Sequence, residues 1–195
     1  MKNRINWGMI FAIFIGILMV GSTIGFIVGP FGFGGGIAQD SIRVNGHRID
    51  VTSNGYETRV GNSIITFTYS PIEVNITEIP AEAIERIKNS PFVYLSSEPN
   101  STSLEDVALA QYQLQQVLAS QFNVQSSIAF TRPNNQTFSI GCENASQYVP
   151  VIVFEDANQT ATIYQDNCLR LQAANPSAFI ALRDRTVYGL LGILK

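Results

Sequence analysis

Ser41–Tyr69 reads SIRVNGHRIDVTSNGYETRVGNSIITFTY, and three turn signals divide it. Asn45-Gly46, Asn54-Gly55 and Gly61-Asn62 are dipeptides that tolerate the positive φ demanded by two-residue hairpin loops. Such loops fix the register of the strands they join. Pairing outward from each turn sets Ile42 opposite Ile49, Val51 opposite Thr58, Ile49 opposite Val60, and Tyr56 opposite Phe67. All three hairpins then place one set on a common face: Ile42, Val44, Ile49, Val51, Tyr56, Val60, Ile65, Phe67 and Tyr69. The other face receives Arg43, Arg48, Asp50, Thr52, Glu57, Arg59 and Thr66, with Asp50 opposite Arg59, a pair worth about 0.2–1 kcal/mol. The spacing predicts an antiparallel four-strand meander with one buried and one wet face. His47, the single histidine, falls beside the first turn on the buried side, where a structural role is expected.

Downstream, Ser70–Pro80 is bounded by prolines and reads as extended chain. Pro80 opens a short helix, AEAIERIK, since a proline loses nothing at a helix start. Phe92–Ser97 (FVYLSS) reads as a buried strand. Ser103 with Asp106 resembles a capping box. A long helix follows from Leu104 to about Gln121, with Val107, Ala110, Leu114, Val117, Leu118 and Phe122 at helical spacing. Gln125–Thr131 is the next strand, so strand, helix and strand suggest a right-handed parallel crossover. Val149–Glu155 is the most apolar strand and is expected at the sheet centre. Asp156–Gln159 turns the chain into Thr160–Ala173. Asn175-Pro176 caps and starts a last helix, with Phe179, Leu182, Thr186, Leu190 and Ile193 as its buried stripe.

Upstream lies Trp7–Val28, WGMIFAIFIGILMVGSTIGFIV, without a charged residue. As a helix these residues reach roughly 33 Å at about 1.5 Å each, against a hydrocarbon core of about 30 Å. A transmembrane signal anchor over residues 7–29 is expected. Lys2 and Arg4 precede it, so the stub 1–6 is expected in the cytoplasm and the rest outside. A cleaved signal peptide is the competing reading, with Gly36 and Ala38 before Gln39, but the apolar run exceeds the usual length. Gly21, Gly25 and Gly29 share one helix face, a spacing that favours close helix packing and a homodimer within the bilayer. Residues 30–40 read as a glycine-rich juxtamembrane linker, and residues 41–195 as one extracytoplasmic domain.

All 15 acidic residues but only 10 of the 12 basic ones follow the apolar run. No basic patch emerges, which argues against a nucleic-acid partner. Cys142 and Cys168 both lie in the outer part, where the default for such a pair is a disulfide. A metal or redox thiol pair lacks CxxC spacing and a nearby histidine. Sequons occur at Asn75, Asn100, Asn135, Asn144 and Asn158, against roughly two expected by chance. They indicate a glycoprotein where the host glycosylates asparagine.

The segment CENASQYVPVIVFEDANQTATIYQDNCLRL, followed by a helix containing RDRTVYGLLGIL, resembles the carboxy-terminal half of uncharacterised single-span archaeal surface proteins. In that group C-x-N-A, a strand, N-C-[IL] and D-R-x-x-Y-x-x-x-G follow in the same order. The resemblance extends over much of residues 41–195. It implies an archaeal envelope setting and supports the pairing of Cys142 with Cys168. No activity comes with it.

Chemistry is sparse. There is no GxSxG nucleophile elbow and only one histidine. No metal-ligand set or cofactor motif emerges, and Gly32–Gly36 lacks the phosphate-loop pattern. No catalytic residue is assigned. Arg183-Asp184-Arg185 is read either as a buried network or as an exposed helix face.

The expected fold is α+β: a transmembrane helix, the meander, then an α/β sheet unit with a long middle helix and a C-terminal helix. The expected role is a membrane-anchored structural or interaction protein of the cell envelope, its partner an envelope protein or glycan. The alternative is an envelope hydrolase acting on glycan or peptide through carboxylates. A polar groove lined by at least two of Glu143, Glu155, Asp156 and Asp166 would favour that alternative. A pilin-like subunit lacks the cleavage motif before the apolar run.

Overall fold

The structure, a computed structural model, describes residues 40–75, 77–133 and 139–195. The expected span 7–29 with Gly21, Gly25 and Gly29, the stub, the linker up to residue 39, and Asn135 lie outside the described residues. Among the described residues no helix is long and apolar enough to cross a membrane.

The meander forms, with order β1-β2-β3-β4. Its strands are Ser41–Val44, His47–Thr52, Gly55–Val60 and Ser63–Phe67. Asn45 and Gly46, at φ 48° and 83°, make the tight first turn. The first and third hairpins keep the expected register, pairing Ile42 with Ile49 and Tyr56 with Phe67. The second does not. Its loop is Ser53-Asn54, and Ile49 pairs with Thr58 and Val51 with Tyr56. Positive φ falls on Gly55 (128°) and not on Asn54. The slip is two residues, so each side chain stays on its expected face. It does undo the expected cross-strand charge pair: Asp50 lies opposite Glu57 and takes Arg48, two residues away on its own strand, at 2.6 Å.

Ser70–Pro80 is not simply extended. Ser70 caps a short helix α1, Pro71–Val74: its Oγ accepts from Glu73 N, and the Glu73 carboxylate accepts from Ser70 N at 2.7 Å. That S-x-x-E capping box was legible, with the proline sitting where a first turn accepts it. Helix α2 is Ala81–Lys88, α3 is Leu104–Phe122 and α4 is Pro176–Leu190. Ser103 makes no side-chain cap on α3, a correction to the expected box. Asn175 Oδ1 does cap α4, accepting from Ala178 N at 3.0 Å.

The second sheet has five strands in the order β6-β5-β7-β9-β8. These are β5 Phe92–Ser97, β6 Gln125–Phe130, β7 Val151–Asp156, β8 Ala161–Gln165 and β9 Cys168–Ala173. β5 and β6 run parallel around α3, and β7 takes the centre. Thr160–Ala173 is a hairpin turning at Asp166-Asn167, both at positive φ (50° and 64°), which makes β8 an antiparallel edge.

One face of this sheet, including Leu95, Ile152, Phe154, Leu169 and Leu171, joins the main core with residues of α3 and α4. Helix α4 is buried nearly all round: from Ala178 to Leu190 only Ala181 is partly exposed. It carries far more than the expected stripe because it contacts both sheets. Phe179 packs toward Phe154 of β7, and Tyr188 stacks on Phe67 of β4 with ring centroids 4.0 Å apart. A helix covered on all sides reads apolar all round, and its three central charges obscured that pattern. Fully burying a side chain such as Phe179 stabilises by about 1.5–3 kcal/mol.

Candidate functional site

The opposite face of the five-strand sheet carries the candidate site. Side chains alternate along a strand. Ile152 and Phe154 enter the main core, while Val151 and Val153 face the other way with Tyr94 and Cys168. Ile140, Cys142 and Ala145 pack over part of that second face. Cys142 and Cys168 form a disulfide that pins the covering segment to the start of β9. Its turn is held locally, with Asn144 Oδ1 accepting from Gly141 N at 2.9 Å. The Glu143 carboxylate folds back over Gly141, where a Cβ would collide with it.

Beside this segment lies an open groove of 590 Å³. Arg170 and Glu155 form one lining pair, across β9 and β7, through Nε–Oε1 and Nη2–Oε2 bonds of 2.6 and 2.8 Å. Gln172 Nε2 adds a third bond to Glu155 at 3.2 Å. The hydrogen bonds to Glu155 raise the Arg170 guanidinium above its ordinary pKa. Arg132 and Glu98 form a second lining pair at 3.3 Å. Both pairs are at least partly solvated, so each adds only about 0–1 kcal/mol to stability. Glu143 and Asp166 also line the groove, and neither has a cationic partner among the described residues.

Three of the four carboxylates singled out in the sequence therefore meet here: Glu143, Glu155 and Asp166. Asp156 does not join them, because the next position along β7 turns away and its Oδ2 accepts from Thr102 N at 3.0 Å. Glu155 has both oxygens engaged by Arg170, which leaves it poorly placed to trade protons with a substrate. Among the described residues no three His, Cys, Asp or Glu side chains cluster as a metal site. No local pattern around Arg132 or Arg170 marks either as a groove residue. Arg170 shares a face with Cys168 two residues earlier, but only the β7–β9 register brings it to Glu155.

Of the sequons, Asn75, Asn100, Asn144 and Asn158 are exposed. The Asn144 side chain is also engaged in the Gly141 turn.

The Arg183-Asp184-Arg185 cluster is the buried network, with exposures of 3%, 0% and 1%. Asp184 Oδ2 accepts the N–H groups of Thr68 and Tyr69, both at 2.9 Å, and Oδ1 lies 2.7 Å from Arg183 Nη1. Burial pushes the Asp184 carboxyl up to about 6, against the pull of Arg183 and the two N–H donors. Burial lowers both arginines and raises Tyr188, whose hydroxyl donates to the Tyr69 carbonyl at 2.9 Å. Arg185 donates to the carbonyls of Thr77 and Lys195. These groups tie α4 to the end of the meander, and all three charged side chains are buried.

The fold and the groove together define a disulfide-clamped α+β domain with an open polar groove. Compared with known protein families, curated proteins and solved structures, the chain matches none of them.

Proposed function

We propose that this chain is a membrane-anchored interaction module of the cell envelope, and that the groove beside the disulfide is its binding surface. The observation that carries this reading is the groove itself: an open polar groove in which Glu155 is already paired with Arg170 and Glu98 with Arg132. Paired side chains of that kind orient and recognise polar groups, whereas acid–base catalysis needs a carboxyl free to exchange a proton. The Cys142–Cys168 disulfide supports an oxidising compartment. The charge-free run 7–28 after Lys2 and Arg4 supports an anchor with the domain outside.

The hydrolase reading meets the criterion set for it, since Glu143, Glu155 and Asp166 line the same groove. The deciding experiment offers purified envelope polysaccharide and envelope peptides to the full-length chain and to Arg170→Glu. Binding without turnover, lost in the variant, is the expected result. Release of cleaved product, abolished by Glu143→Gln or Asp166→Asn, would establish a hydrolase. Equal behaviour of wild type and Arg170→Glu toward every ligand would remove the groove from the function.

A further inference from the structure

The two edges of the five-strand sheet are treated differently. At β6 the Ser126 carbonyl accepts from Gln115 Nε2, and the Phe130 carbonyl accepts from Ile140 N, both at 2.8 Å. Ser139 also bridges to Phe130, so that edge is partly closed. At β8 the backbone pairs with β9 alone. Among the described residues no backbone group of Ala161–Gln165 has a partner on the far side. Exposed edges are commonly blunted by charge, proline, a bulge or a cover. The strand ATIYQ has no charge and no proline, and its register with β9 is unbroken.

This edge also borders the groove. Ile163, which is 40% exposed, and Gln165 line it. So do Asp166, in the turn that ends β8, and Glu143, the two lining carboxylates without a cationic partner among the described residues.

We propose that β8 is a docking strand for an extended, lysine- or arginine-bearing peptide segment of a partner protein. The inference rests on the groove reading above and names the chemistry of the partner. Backbone hydrogen bonds to β8 supply the register, and alternate side chains of the added strand face the groove. An apolar residue then covers Ile163 while a basic one approaches Asp166 and Glu143. Charge selects this occupant over a second copy. The chain from residue 40 onward holds 15 acidic and 10 basic residues, so two copies repel while a basic segment is attracted.

The test is backbone amide exchange on the full-length chain, with an acetylated octapeptide of alternating valine and lysine as probe. A counterpart with glutamate for lysine is the control. The expected result is slowed exchange across Ala161–Gln165 with the lysine peptide alone. The double variant Glu143→Gln, Asp166→Asn should bind it about tenfold more weakly, and asparagine tolerates the left-handed backbone at 166. Binding without β8 protection, equal affinity for the glutamate peptide, or self-association that protects β8 unaided overturns the proposal. Polysaccharide bound in the groove with no peptide on β8 overturns it too and leaves the groove reading standing. A groove indifferent to every ligand defeats both.

Discussion

Asp184, in the last helix, accepts the backbone N–H of Tyr69 at 2.9 Å across 115 residues of sequence. The same carboxylate oxygen takes the N–H of Thr68. These bonds join the end of the meander to the helix that covers the second sheet. They also satisfy two backbone donors that β4 leaves unpaired where it ends at Phe67.

Asp184→Ala should lower unfolding stability by about 3–5 kcal/mol, because it leaves Arg183 buried without its partner. The double variant Arg183→Met, Asp184→Leu should recover only part of that loss. It removes the unpaired charge, yet the N–H groups of Thr68 and Tyr69 remain orphaned at about 1–3 kcal/mol each. Denaturant titration of both variants checks this. Full recovery in the double variant would show that the two backbone bonds contribute little.

The same group gives a pH dependence. Burial raises the folded-state pKa of Asp184 to about 6, above the ordinary 3.8. Between those values the folded state binds more protons than the unfolded state, so this group's contribution to stability falls as pH rises. Above about pH 7 it changes no further. A carbon-13 titration of the carboxyl should find a midpoint near 6. The increase in stability from pH 7 to pH 5 should be smaller in Asp184→Asn than in wild type. A midpoint near 4 would show that Arg183 and the two N–H donors outweigh desolvation.

Gly55 sits at φ 128°, and a Cβ there would collide with the carbonyl oxygen of Phe67. Gly55→Ala should cost about 1–3 kcal/mol through backbone strain and displacement of β4. Gly46, also at positive φ but with open space around it, should cost less on the same substitution. A thermal scan comparing the two variants separates steric collision from φ alone.

Reducing Cys142–Cys168, or replacing both with serine, should lower stability by about 3–4 kcal/mol in the chain-entropy estimate. It should also loosen the groove wall formed by Gly141, Cys142 and Ala145. Exchange at residues 139–145 should then rise well before global unfolding. Unchanged exchange there would mean that the packing of Ile140 and Ala145 holds the segment without the covalent link.

Ser70→Ala removes the cap of α1 and should cost about 1 kcal/mol. The Ser70 side chain and backbone N–H hold the Glu73 carboxyl below its ordinary pKa. Its titration midpoint should therefore move up toward the ordinary value in the variant, and carboxyl NMR reads that shift directly.

Much of the architecture follows from residues close together in the chain. Asn45-Gly46 defines a turn because its own backbone preference does so. Asn175-Pro176 starts a helix through a bond to Ala178, three residues on. Strand alternation and helical spacing placed the meander faces and α3 by the same local physics. Where two local signals competed, at Ser53-Asn54-Gly55, the observed register closes the loop at Ser53-Asn54 and pairs Tyr56 with Val51. The face assignment survived only because the shift was even. The tertiary structure alone decided that Asp184 is buried, that Arg170 meets Glu155, and that Glu143 and Asp166 share a groove while Asp156 turns away. Those outcomes depend on which strands lie side by side and on what water leaves uncovered. Neither is a property of a short stretch of chain, since hydrophobic burial and charge pairing act between groups brought together only by the completed fold.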